Sequence, residues 1–367
     1  MFQDLRFGLR TLLRQWLILT LIGLQAGFSG CQRTQENPLP QPALKRVETV
    51  PRAATIVSPQ WVKSVLDFQS SGNTARPTNY FNNRAVIVEA SWAKPEAAKD
   101  YLAGHIPSAI HLNTDDVENG YPRWLLRPVN ELHQVVGRLG ITPETTVIVY
   151  SKQTIAAARI WWTLMYAGVS DVRVLNGGVE DWKAAGFPTE TTIRTPQPVS
   201  FSAPVREELL ATTDYVRTHL NDKIQLADVR SREEFIGQIS GYDYVNFKGR
   251  IPGAINLGNA DDSARLYQNA DGTLRNSSEI QRMWAQAGIE KNDREVIFYC
   301  GSGWRSSLAF LHAWTMELEH IRNYSDGWAG WSTNYIQDGN VKAGTPGWRQ
   351  ERSTNPIVAD SELVNRN

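Results

Sequence analysis

The chain has 367 residues, 41% apolar and 21% charged, with 38 basic and 38 acidic side chains that leave no net charge. That length fits two domains with cores of their own, and the charge balance excludes a global field of the kind that gathers nucleic acid or an anionic membrane surface. Recognition of an anion must therefore be local, and each of the two cysteines calls for its own explanation.

In chain order, the N-terminus reads as a leader. Arg6, Arg10 and Arg14 precede WLILTLIGLQAGFSGC, an apolar run short for a membrane span and suited to a secretory signal. Ser29 and Gly30 before Cys31 resemble the cleavage site of a bacterial lipoprotein, with Phe28 where Leu is usual. Residues 1–31 are therefore expected to export the protein, to the periplasm or to a membrane anchored through a lipidated Cys31. Residues 32–55, rich in Pro, Gln and charge, read as a flexible tether. Once Cys31 is acylated or removed, Cys300 has no partner in the mature chain, which leaves a reactive thiol, an intermolecular link or a buried, inert cysteine as its explanation.

The remainder repeats itself. GHIPSAIHLN (Gly104 to Asn113) and GRIPGAINLG (Gly249 to Gly258) agree at six of ten positions. GITPETTVIVYS, ending at Ser151, returns as GIEKNDREVIFYC, ending at Cys300, and NGGVEDW, ending at Trp182, returns as SDGWAGW, ending at Trp331. Shared order and spacing imply a duplicated domain. The boundaries are expected at 56–190 and 209–350, with a Pro-rich linker at 191–208 and a C-terminal tail at 351–367. The runs AVIVEAS, TVIVYS and DVRVLN lack alternation, as strands buried on both faces of a parallel sheet do. Helical spacing predicts helices over Ala156 to Gly168 and, from about Ser306, to Leu318. The fold class is thus α/β: two tandem domains, each a mainly parallel β-sheet flanked by helices.

Ligands of such sheets bind beyond the carboxyl ends of the strands, where Cys300 stands. The loop CGSGWR follows it. Gly301 and Gly303 allow backbone amides to turn inward around a sulfur, the next helix adds the partial positive charge of its N-terminus, and Arg305 adds a full charge. All three favour the thiolate, the reactive form of cysteine. A cysteine phosphatase spaces its residues as C-x5-R; the C-x4-R of Cys300 and Arg305 makes a smaller ring, better matched to one added sulfur atom. The first copy has Ser151 at the cysteine position and no glycines after it, so it reads as scaffold and one wall of a cleft.

These pieces resemble a tandem-domain rhodanese, the thiosulfate or 3-mercaptopyruvate sulfurtransferase family, over roughly residues 55 to 350. SGYDYVNFKGRIPGAINLG (Ser240 to Gly258) and the loop tryptophan look most like an exported bacterial subgroup. The resemblance implies rhodanese-like domains and a two-step transfer in which Cys300 takes a sulfane sulfur as a persulfide and passes it to cyanide or a thiol acceptor, which can be a protein. It implies a small anionic sulfur donor held by Arg230, with Asp228 orienting an arginine, Lys248 and Arg250 enriching the cleft in positive charge, and Gly301, Ser302, Gly303, Trp304 and Arg305 forming the cradle. No cofactor and no metal are implied, and the six histidines have no ligand spacing such as HxxxH. DDVENGYPRWLLRP lacks the histidine of the mercaptopyruvate type, which favours thiosulfate. The alternative is a persulfide carrier or redox binding module serving a partner protein.

Overall fold

The computed structural model describes residues 50–72, 74–120, 124–220, 224–258, 263–289, 294–337 and 348–360. The chain divides into two units, Met1–Val47 and Glu48–Asn367, and every described residue belongs to the second. The leader, Cys31 and most of the tether lie outside the described residues.

Two five-stranded parallel sheets carry the fold. In the first, β1 (Ile56–Val57), β2 (Arg84–Ser91), β3 (Ile110–Asn113), β4 (Thr145–Tyr150) and β5 (Asp171–Leu175) lie in the order β1-β5-β4-β2-β3. In the second, β6 (Leu210–Ala211), β7 (Ile224–Asp228), β8 (Ile255–Asn256), β9 (Glu295–Tyr299) and β10 (Ile321–Tyr324) repeat that permutation as β6-β10-β9-β7-β8. The structure is the α/β fold of two tandem, mainly parallel domains that the repeats imply. All six residues of β4 are buried, which explains why the sequence shows an apolar run there rather than alternation.

The two copies share a core. Helices Thr154–Tyr166 and Trp304–Thr315 follow the matching strands β4 and β9 and meet each other, with the Trp161 ring 6.0 Å from Phe310 and 6.1 Å from Trp314. One apolar cluster runs through this seam, and each sheet's other face holds a cluster of its own. Trp161 is fully buried, and a side chain of that size contributes roughly 4–6 kcal/mol of transfer free energy as an upper estimate.

Three segments expected to be loose are packed. Residues Arg52–Thr55, placed in the tether, form a 3-10 turn in which Arg52 donates to Leu318 O at 2.8 Å and Thr55 Oγ1 accepts from the Trp314 indole at 3.1 Å. In the linker, Val199 N–H donates to Gly137 O at 2.9 Å. In the tail, β12 (Trp348–Arg352) pairs antiparallel with β11 (Thr333–Gln337), and Val358 exchanges both backbone hydrogen bonds with Arg250. None of these contacts has a sequence period, so composition alone reads as looseness.

Candidate active site

Cys300 follows β9, is 2% exposed and is a free thiol. The expected helix start at Ser306 or Ser307 is corrected: the helix begins at Trp304, capped by Gly303 at φ +86°. The serines bond backwards instead of capping, Ser307 Oγ donating to Gly303 O at 2.6 Å. Both loop glycines are required by space. A Cβ on Gly301 would lie 2.0 Å from the Tyr242 ring, and one on Gly303 2.7 Å from Arg159 Nη1 and 2.8 Å from Ser325 O. The Trp328 and Ala329 amides donate to Cys300 O and Gly301 O at 2.7 and 3.0 Å, tying the loop to the helix Gly327–Ser332. Cys300 therefore sits before the N-terminus of a twelve-residue helix, whose first N–H groups have no intrahelical partner.

Around the sulfur, Ser306 Oγ lies 3.7 Å from Cys300 Sγ and 2.6 Å from Asn323 Oδ1, so one hydroxyl stands between thiol and amide. Ser302 Oγ is 3.1 Å from the Tyr244 hydroxyl. Arg305 forms a two-pronged pair with Glu234, both contacts at 2.8 Å, and bonds the Tyr242 hydroxyl. Burial works against the Arg305 charge, but the paired Glu234 carboxylate outweighs it and holds the guanidinium firmly protonated. Burial likewise works against the Glu234 carboxylate, and Arg305 with Arg230 overcomes it, drawing that carboxyl below its ordinary value. Burial pushes the Tyr242 phenol well above its ordinary value, so it stands beside the cysteine as a neutral proton donor.

The other expected residues are held by protein partners of their own. Asp228 and Arg230 are fully buried and paired at 2.6 Å, Arg230 Nη2 also reaching Gly249 O at 2.9 Å, and the Tyr299 hydroxyl donates to Asp228 at 2.5 Å. The Arg230 guanidinium, expected at the donor, is thus committed to the interior, with Trp328 across its face at 4.7 Å. Lys248 is exposed and donates to Gln238 O at 3.0 Å; Arg250 pairs with Asp360 at 2.8 Å. Cys300 is among the groups that favour the Arg305 charge, and Glu234 matches that charge at 2.8 Å. Among the described residues no group of three or more His, Cys, Asp or Glu could hold a metal ion.

Sequence reasoning missed the tyrosines and Glu234, and it gave the first domain as one wall of the cleft without the residues that make it. Trp304, expected in the cradle, stacks on Trp92 of the first domain at 5.4 Å, and its indole N–H is accepted by both oxygens of Glu118 at 3.0 and 3.1 Å. Trp92 is 39% exposed beside the loop. Burial raises the Glu118 carboxyl above its ordinary value, against the pull of Arg159 and Trp304. Glu234 had a local signal, the capping box of Ser231 and Glu234 in SREE; its partner Arg305 lies too far along the chain for spacing to reveal.

The rhodanese-like domain profile matches residues 81–185 and 212–334. A thiosulfate sulfurtransferase of Escherichia coli, YnjE, is 35% identical over 297 residues, covering 79% of this chain and 66% of its own length. A sulfur carrier protein of Thermus thermophilus, TtuD, is 32% identical over 244 residues, covering 63% and 83%. Among solved structures, the anaerobic ergothioneine biosynthesis enzyme of Chlorobium limicola, in complex with trimethyl histidine, superposes with a TM-score of 0.70 at 31% identity, over 84% of this chain and 71% of that one.

Proposed function

Because this chain belongs to the rhodanese-like domain family, in two tandem copies, and its relatives are sulfurtransferases, we propose that it moves a sulfane sulfur from thiosulfate, through a persulfide on Cys300, to cyanide or a thiol. The observation that carries this reading is the placement of one free cysteine before the helix N-terminus, within a loop whose two glycines admit no side chain. The Cys300 thiolate attacks the outer sulfur of thiosulfate. The S–S bond breaks and sulfite leaves with the bonding pair. Cyanide then attacks the outer persulfide sulfur, thiocyanate departs, and the electron pair returns to Cys300. Arg305 and the helix N-terminus oppose the negative charge that passes through the loop, and Tyr242 and Ser306 offer hydroxyls. 3-Mercaptopyruvate is the alternative donor; the pairing of Arg305 with Glu234 matches the charge of the loop arginine, so charge alone does not choose between this monoanion and the thiosulfate dianion. Steady-state transfer from each donor to cyanide, with Cys300→Ser beside it, tests the reading.

A carrier that hands its sulfur to a partner protein is favoured by Trp92, which presents an aromatic face beside the loop. Loading without multiple turnover on cyanide would select it. The Chlorobium neighbour adds an imidazole acceptor to the panel worth assaying. Export, with Cys31 as lipid acceptor, belongs to the same proposal, and the mass of the protein in membrane and soluble fractions checks it.

A further inference from the structure

The transfer steps draw their groups from the second domain, yet the first domain buries an ion pair against the Cys300 loop. Arg159, on helix Thr154–Tyr166, is fully buried. Its Nε donates to Glu118 at 2.9 Å, and its Nη2 lies 2.7 Å from Glu118 and 3.0 Å from Ser325 Oγ, across the domain seam. Its Nη1 has no hydrogen-bond partner among the described residues and lies against Gly303. Glu118, 1% exposed, joins this arginine to the Trp304 indole. One carboxylate and one guanidinium thus touch Gly303 and Trp304 of the Cys300 loop and Ser325 beyond the next strand.

Burying two charges costs several kcal/mol per ion before their attraction returns it, so stability alone is a weak reason to keep such a pair. The reciprocal contact supplies the contrast. Aligned on Ser151 and Cys300, Glu118 corresponds to Tyr267 and Arg159 to Leu308, both buried. There the second domain meets the Ser151 loop through neutral hydrogen bonds, Thr154 Oγ1 donating to Gly272 O at 2.6 Å and Leu274 N–H to Asn176 Oδ1 at 2.8 Å. The buried pair stands on the side that has the cysteine.

We propose that Glu118 and Arg159 are positioning residues for sulfur transfer, through which the first domain, itself without a cysteine, sets the geometry of the Cys300 loop. This rests on Cys300 being the reactive thiol. The test compares Arg159→Lys, Glu118→Gln and Trp304→Phe in the full-length protein with Trp182→Phe, a stability control in the far core of the first domain. The readouts are Tm, kcat and KM for thiosulfate-to-cyanide transfer, and the rate at which iodoacetamide alkylates Cys300, which needs no sulfur donor. Arg159→Lys and Glu118→Gln should each lower kcat about tenfold or more with KM within about threefold, and shift the alkylation rate at least about threefold. Trp304→Phe, which keeps an aromatic ring against Trp92 and loses the indole N–H, should be milder and, in the double variant, add nothing to Glu118→Gln, while Trp182→Phe lowers Tm and leaves both rates unchanged. Rates that track Tm across all four variants, or an unchanged loop in Arg159→Lys, overturn the proposal. Should the charge variants not fold, Trp304→Phe decides alone, because it removes one hydrogen bond from a partly exposed ring. A parent that alkylates at Cys300 but transfers no sulfur removes the sulfurtransferase reading and leaves the alkylation comparison standing.

Discussion

The loops that begin at Ser151 and Cys300 leave matching strands of the two sheets and lead into matching helices, yet they are built differently. In the first, Ser151 Oγ accepts the Gln153 amide at 3.1 Å, and the helix starts at Thr154 from an extended Gln153. In the second, Gly303 turns the chain at φ +86° beside Ser325, and Gly301 packs against Tyr242. Beneath the loops, register matches Glu89 with Asp228: the former pairs with His111 at 2.8 Å, the latter with Arg230 at 2.6 Å. The sheet permutation survives such exchanges because it depends on burial alone. The chemistry we propose at the strand end depends on two glycines and one sulfur, and the Ser151 loop has neither.

The largest effect that could break this contrast is loss of the sulfur. Cys300→Ser should lower transfer at least about a thousandfold with Tm nearly unchanged, since the change is isosteric. Gly301→Ala drives a methyl group into the Tyr242 ring; transfer should fall about a hundredfold, with a stability loss of about 1–3 kcal/mol seen in urea unfolding. A third expectation concerns His312, which aligns with Thr163 in the first copy. Burial lowers its pKa from 6.5 to about 4. The neutral form is the one the fold accepts, so its contribution is complete above pH 6.5 and is lost as pH falls towards 4. At pH 5.5 that loss is about 1.4 kcal/mol relative to pH 8, and His312→Gln should flatten this part of the stability profile. The smallest effect sharpens the comparison from the other side. Ser151→Cys should leave transfer unchanged and take up no sulfur from thiosulfate, because that loop lacks the glycines that shape the cradle.

The duplication, the parallel sheets and the Cys300 loop were legible in the sequence because each is local: a repeated segment, an apolar run, a cysteine between a strand and glycines. What escaped depends on residues far apart in the chain. Arg230, expected from LADVRSREEF to hold the donor, is interior because Asp228 and Gly249 O converge on it and Tyr299 donates to the same Asp228. The helix start was misplaced because serine is the usual cap, whereas here a glycine with positive φ turns the chain. Arg159 had a signal, a lone charge in AAARIWWTLMYAG, a helix buried nearly all round. Its partners Glu118 and Ser325 come from another loop and another domain, and no spacing rule joins them.

The most direct measurement is the intact mass of the purified, reduced protein before and after thiosulfate and then after cyanide, with Cys300→Ser and Ser151→Cys run in parallel. One sulfur atom gained by the parent, removed by cyanide, absent from Cys300→Ser and not doubled in Ser151→Cys is the expected result. No mass gained by a folded parent, from thiosulfate or from 3-mercaptopyruvate, or sulfur still taken up without Cys300, would contradict transfer through this loop.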